Sequence, residues 1–166
     1  QAAIIGDFAF DPRYQGAGSS MVNSTKVDSI KDMLETSGIS VTGIVRGYQR
    51  DGKEDEAMKK EAVDLARRSD VVLFFFGLNE KSETEGLDRK HLRIPQNQIN
   101  LIQELAKANA NMVGIISAGS VIEMPWHHHF KALLHTALMG QAGAGAVLDI
   151  LSGKVNPSGK LAETYI

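Results

Sequence analysis

The strongest constraint on this chain is an alternation of two kinds of segment. Short, mostly apolar runs at Ala2 to Ile5, Val41 to Val45, Val71 to Phe76 and Met112 to Ile116 are separated by longer stretches with a helical apolar period. Runs of this length, bounded by Gly, Asp and Ser, predict strands buried on both faces. Between them, Val27, Ile30, Met33 and Leu34 share one helical face; Met58, Ala62, Leu65 and Ala66 share a second; Ile99, Ile102, Leu105 and Ala106 share a third. Strands that alternate with helices of about a dozen residues build right-handed βαβ units and therefore a parallel sheet. The expected class is α/β: a doubly wound, mostly parallel sheet of five to six strands with helices on both faces, a flavodoxin-like three-layer sandwich.

The last third is less regular. Val121 to Met124 reads as a very short fifth strand, and the segment after Pro125 as a helix with Phe130, Leu133, Leu134, Ala137 and Leu138 on its buried side. A further helix is expected over Ala144 to Leu151, followed by a turn at Asn156-Pro157-Ser158-Gly159. With 166 residues, 43% of them hydrophobic, the chain is long enough to close one core, and residues 1–166 read as a single domain.

In such sheets, ligands bind beyond the carboxyl ends of the strands. Four connections lie there: Asp7 to Asn23, Arg46 to Lys53, Gly77 to Asn97 and Ser117 to His129. The first and third are long for an α/β connection, and such long loops are more often functional or disordered than idle. Charge sets limits on partners. Eighteen basic against twenty acidic residues leave a net charge of −2, so neither nucleic acid nor an anionic membrane surface is an expected partner. The absence of cysteine removes disulfides, thiolate nucleophiles and Cys-type metal sites. No apolar run approaches the roughly 20 residues of a membrane helix. A cytoplasmic location is the expectation, and no cofactor is required.

The third connection reads Gly77-Leu78-Asn79-Glu80-Lys81-Ser82-Glu83-Thr84-Glu85-Gly86-Leu87-Asp88-Arg89, with four carboxylates and two cations at the mouth of a buried strand. Crowded carboxylates raise one another's pKa, which keeps a Glu protonated long enough to act as an acid near neutral pH. The bland alternative is a solvated acidic loop. In the first connection, Gly16-Ala17-Gly18-Ser19-Ser20 lacks the third glycine and the lysine of a phosphate cradle, so no nucleotide site is expected. Asp7 is expected to bond nearby backbone, as Asp does in turns.

Four ordered stretches carry a family likeness. Glu85-Gly86-Leu87-Asp88-Arg89, with Leu92, Ile94-Pro95 and Gln98, resembles the Glu-Gly-x-Asp-Arg signature in the second domain of family-three β-glucosidases. Arg13-Tyr14-Gln15-Gly16-Ala17-Gly18-Ser19-Ser20 is similar to that domain's first loop, and Ser117 to Ser120 with Met124-Pro125-Trp126 to its fourth. Gly140 to Ala146, running on to Asn156-Pro157-Ser158-Gly159-Lys160-Leu161, is similar to its C-terminal stretch.

The resemblance implies a retaining mechanism divided between two domains, with an Asp nucleophile on a preceding barrel and a Glu acid/base on a loop of this one. It puts Glu85 first as that acid/base, with Glu83 the runner-up. Asp88 and Arg89 are expected to order the loop through a salt bridge. A retaining site needs two carboxylates about 5 Å apart, and a barrel needs at least about 200 residues of its own. The barrel segment is absent from these 166 residues, so the chain is expected to meet a β-glucoside only together with a barrel domain and to be inactive alone. Loss of a barrel contact would bare apolar surface, with Phe8, Phe10, Tyr14 and Trp126 the candidates, and favour a homo-oligomer.

The chain departs from the family pattern at His127-His128-His129, at Ala137, where an aromatic is common, and at Ala142, where Glu is common. With the start at Gln1, these departures read as an excised or engineered segment. Consecutive helical residues point about 100° apart, so three histidines on a regular helix do not chelate one ion. The alternative function is an engineered or repurposed α/β scaffold that binds Zn or Ni at His127, His128 and His129, either between chains or with Glu123. His135 reads as a boundary residue and His91 as solvated.

Overall fold

A computed structural model describes residues 1–166. Five strands, β1 (Ala2–Ile5), β2 (Val41–Val45), β3 (Val71–Gly77), β4 (Met112–Ser117) and β5 (Ala132–His135), form one sheet in the order β2-β1-β3-β4-β5, and every neighbouring pair is parallel. Four helices, α1 (Ile30–Ser37), α2 (Glu56–Arg67), α3 (Gln96–Ala108) and α4 (Gly143–Leu151), cover the sheet. No helix is long and apolar enough to cross a membrane.

The period of two along β3 divides the core. Val72, Phe74 and Phe76 point into a cluster with Leu65, Leu101, Ile102 and Leu105 of α2 and α3, while Leu73 and Phe75 meet Ile30, Val147 and Leu148 of α1 and α4 on the opposite face. The three-layer sandwich follows from that division. Local chemistry fixes two helix starts: the Ser29 hydroxyl accepts from the Asp32 amide at 3.1 Å, and the Asp55 carboxylate from the Met58 amide at 3.0 Å.

The end of the chain differs from the sequence reading. Val121 to Met124 forms no strand, and the residues after Pro125 form a short 3-10 turn (His127–His129) followed by β5 rather than a helix. The reason lies in aromatic packing. Phe76 stacks on Phe74 at 4.8 Å between ring centroids and on Phe130 at 5.6 Å, and meets Trp126 edge-on at 5.1 Å. These rings plug the space over β4 that a crossover helix would fill. Leu133 and Leu134 then turn to opposite faces of the sheet, so their pairing is a strand period that the spacing to Phe130 and Ala137 disguised as a helical one.

Candidate functional site

The first and third connections meet beyond the C-terminal ends of β1 and β3. Ala17 and Thr84 form a parallel bridge, which lays the Gly18-Ser19 backbone against Glu85. Gly18 adopts a left-handed conformation (φ 86°), and a Cβ there would lie 2.7 Å from the Glu85 Cβ, so only glycine allows the approach. Ser19 then donates twice to Glu85 Oε2, from its amide at 2.9 Å and from its hydroxyl. Glu85 is exposed, and the Ser19 hydroxyl and amide together hold its carboxyl below the usual glutamate range. Crowding by neighbouring acids therefore does not govern Glu85; donated hydrogen bonds do.

Glu83 faces the other way. Its carboxylate accepts from the Gly119 amide at 3.0 Å and the Ser120 hydroxyl at 2.5 Å, and it pairs with Arg13 at 3.6 Å. Arg13 is 1% exposed and Glu83 11%, so this is a buried ion pair that ties the first, third and fourth connections together. The Arg13 guanidinium also donates to the Gln15 carbonyl, while its Nε and Nη2 have no hydrogen-bond acceptor. Sequence reasoning passed over Arg13. Its place in the Arg-Tyr-Gln-Gly-Ala-Gly stretch was visible, but nothing local marks a guanidinium as buried.

Asp88 and Arg89 do not form the expected salt bridge. Asp88 is exposed and makes no ion pair, whereas Arg89 Nη2 donates to Ser120 Oγ at 3.0 Å and to the Val121 carbonyl at 2.7 Å. Arg89 thus orders the loop by reaching across to the fourth connection. The loop's departure from β3 is fixed by Gly77, whose amide donates to the buried Gln98 Oε1 at 3.0 Å. Gly77 has φ 144°, and any Cβ would lie 2.0 Å from the Ser117 carbonyl oxygen.

Asp7 does not bond nearby backbone as expected. It is buried and meets two cations from the second connection, Arg46 and Arg50, the latter at 3.0 Å. Arg50 reaches on to Glu80 at 3.0 Å and lies 4.8 Å over the Phe8 ring, and Arg46 lies 4.6 Å over Phe10. Burial outweighs both arginines and leaves the Asp7 carboxyl above its ordinary value. Because these partners sit 39 and 43 residues away, no local motif announces them.

The histidine run is not gathered into a site within the chain. His127 Nδ1 faces the Met124 carbonyl at 2.8 Å, the His128 and His129 rings lie 4.1 Å apart, and no group of three or more His, Asp or Glu is placed to hold a metal ion. His91 is exposed, as expected. His135, at the end of β5, accepts or donates at Nε2 with the Tyr165 hydroxyl at 2.7 Å, and burial lowers its pKa. Two of the aromatics expected at a bare surface are core residues instead: Phe8 is 1% exposed and Trp126 3%. The two connections that hold Glu85 also expose large apolar side chains, Met21 and Val22 on the first and Leu87 on the third.

Comparison with known proteins agrees with this architecture. The family described as glycosyl hydrolase family 3 C-terminal domain matches residues 1–166. An exo-α-(1→6)-L-arabinopyranosidase of Bifidobacterium breve is 45% identical over 164 residues, covering 98% of this chain and 22% of that protein. The thermostable β-glucosidase B of Acetivibrio thermocellus is 44% identical over 167 residues, again 98% of this chain and 22% of that protein. The crystal structure of a family 3 β-glucosidase of Bifidobacterium adolescentis superposes with a TM-score of 0.93 at 44% identity, covering 99% of this chain and 24% of the other. The chain thus spans about a quarter of the length of the relatives it matches. It belongs to the glycosyl hydrolase family 3 C-terminal domains of β-glucosidase-like enzymes.

Proposed function

We propose that this domain supplies the acid/base of a retaining β-glucosidase-type reaction, with Glu85 in that role, and that it acts only when a barrel domain presents the nucleophile. The observation that carries the reading is the division of labour between two neighbouring carboxylates. Glu83 is consumed by Arg13, Gly119 and Ser120, while Glu85 stands exposed at the sheet edge, held only by Ser19. A group that must give a proton to a leaving oxygen and later take one from water needs that access. Met21, Val22 and Leu87, exposed on the same two connections, offer apolar surface for a partner to cover, and the relatives, four to five times longer than this chain, have the length for one.

In this reading Glu85 protonates the departing glycosidic oxygen while the partner's carboxylate attacks the anomeric carbon, and the ionised Glu85 then removes a proton from the water that releases the sugar. The glycone is a terminal β-D-glucosyl residue or a related pyranoside. Relatives named for glucosidase and for arabinopyranosidase activity match this domain equally well, so sugar choice is assigned to the barrel side.

Hydrolysis of an aryl β-glucoside tests the proposal. The chain alone gives no turnover; joined to a family 3 barrel it does, and Glu85→Gln lowers turnover by about 100-fold or more. Azide restores the rate of Glu85→Ala on an aryl glucoside with a good leaving group. Turnover by the chain alone, or full activity in Glu85→Gln, would refute the assignment.

A further inference from the structure

We propose that Ser19 is a positioning residue for the reaction: its hydroxyl and amide clamp Glu85 Oε2 and set the direction in which the carboxylate meets the glycosidic oxygen. The proposal rests on the assignment of Glu85 above and adds a specific dependence to it.

Three independent features converge on this contact. The Ala17–Thr84 bridge fixes the register between the two connections. The left-handed Gly18 has no Cβ where one would meet Glu85. Ser19 then places both its donors on a single carboxylate oxygen, which leaves Glu85 Oε1 without a donor from Ser19. Nothing else charged competes for Glu85. Glu83 is turned onto Gly119, Ser120 and Arg13, Asp88 is exposed and makes no ion pair, and Arg89 is occupied by Ser120 and Val121. From the first connection Gly18 and Ser19 meet it, and Ser20 turns its hydroxyl back to the Ala17 carbonyl at 3.4 Å.

The chemical consequence has a definite sign. Donors to a carboxylate favour its charged form, so the clamp makes Glu85 a stronger acid and limits its protonated fraction at higher pH. In a retaining reaction the protonated form is needed for departure of the aglycone, and that need is greatest when the leaving group is a poor one. Ser19→Ala therefore moves the basic limb of the kcat/KM profile upward in pH. It also lowers kcat/KM about tenfold on an alkyl glucoside, the loss expected from one charge-assisted hydrogen bond. Dinitrophenyl glucoside, whose departure needs little proton assistance, loses much less.

The experiment has two arms. In the chain itself, carbon-detected NMR follows the titration of the Glu85 carboxyl in the unmodified protein and in Ser19→Ala, Ser19→Thr and Ser20→Ala. Glu85 titrates below the ordinary glutamate value, Ser19→Ala raises it, and Ser19→Thr and Ser20→Ala leave it low. An unmoved titration in Ser19→Ala overturns the proposal irrespective of any catalysis. In the second arm the same variants, joined to a family 3 barrel, are assayed across pH on alkyl and dinitrophenyl glucosides. If the NMR titration moves while the kinetic limb stays, Glu85 is not the group that limits the reaction, and the acid/base assignment fails rather than the contact. A uniform loss on both substrates with no shift of the limb marks Ser19 as merely structural and also overturns the proposal.

Discussion

The Arg13–Glu83 pair gives the sharpest test of how the three connections are held together. Arg13 is 1% exposed, with two of its nitrogens lacking acceptors, so Glu83 is its main source of charge compensation. Glu83, at 11% exposure, retains two donors in Gly119 and Ser120 without it. The two deletions are therefore unequal. Glu83→Gln keeps size and strands a buried cation, which costs about 3 kcal/mol, the low end of what breaking a buried pair costs. Arg13→Met removes the cation itself, fills the same volume with an apolar stem and gives up the bond to Gln15, for a cost of about 1 kcal/mol. The double variant then resembles Arg13→Met alone, and the cycle gives a coupling of about 3 kcal/mol. Urea unfolding reads these differences directly. In a chain of this length they appear thermally as a fall of roughly 6 to 12 °C for Glu83→Gln and 2 to 4 °C for Arg13→Met. Glu85→Gln, on an exposed carboxylate, leaves stability essentially unchanged. If Glu83→Gln lies within about 0.5 kcal/mol of the unmodified chain, or the single costs simply add, the pair is not the clamp described here.

Other perturbations have equally specific outcomes. Phe76→Ala empties the centre of the ring stack with Phe74, Trp126 and Phe130, and is expected to cost about 3 to 5 kcal/mol in urea unfolding and to quench-shift the single Trp fluorescence even in the folded state. His135 is held neutral by burial, so the unfolded chain binds its proton first; stability is present above the usual histidine value of 6.5 and falls as pH drops below it, a dependence that a melting series shows and His135→Gln flattens. Zinc at 0.1 mM is expected to raise the melting temperature by less than about 1 °C, because a weakly held ion adds little by mass action and only two imidazoles of the run lie side by side. A larger shift, lost in His128→Ala, marks a site formed between copies of the chain.

Much of this protein is written locally. The four apolar runs announce β1 to β4, and the spacing of apolar residues announces α1, α2 and α3, because burial on one face or on both leaves a period that any window of a dozen residues contains. The Glu-Gly-x-Asp-Arg stretch and its three companions carry the family and draw attention to the loop that bears Glu83 and Glu85. Where the reading failed, the deciding contacts are distant in sequence. Trp126 and Phe130 pack on Phe76 and convert an apparent helix into a turn and an edge strand. Asp7 finds its partners in Arg46 and Arg50, and Arg89 in Ser120 and Val121 rather than in Asp88. Two glutamates separated by one threonine cannot be told apart by spacing, since both belong to the same acidic loop. Only the fold, by setting Arg13 and Gly119 against one and Ser19 against the other, makes the first a buried clamp and leaves the second exposed at the edge.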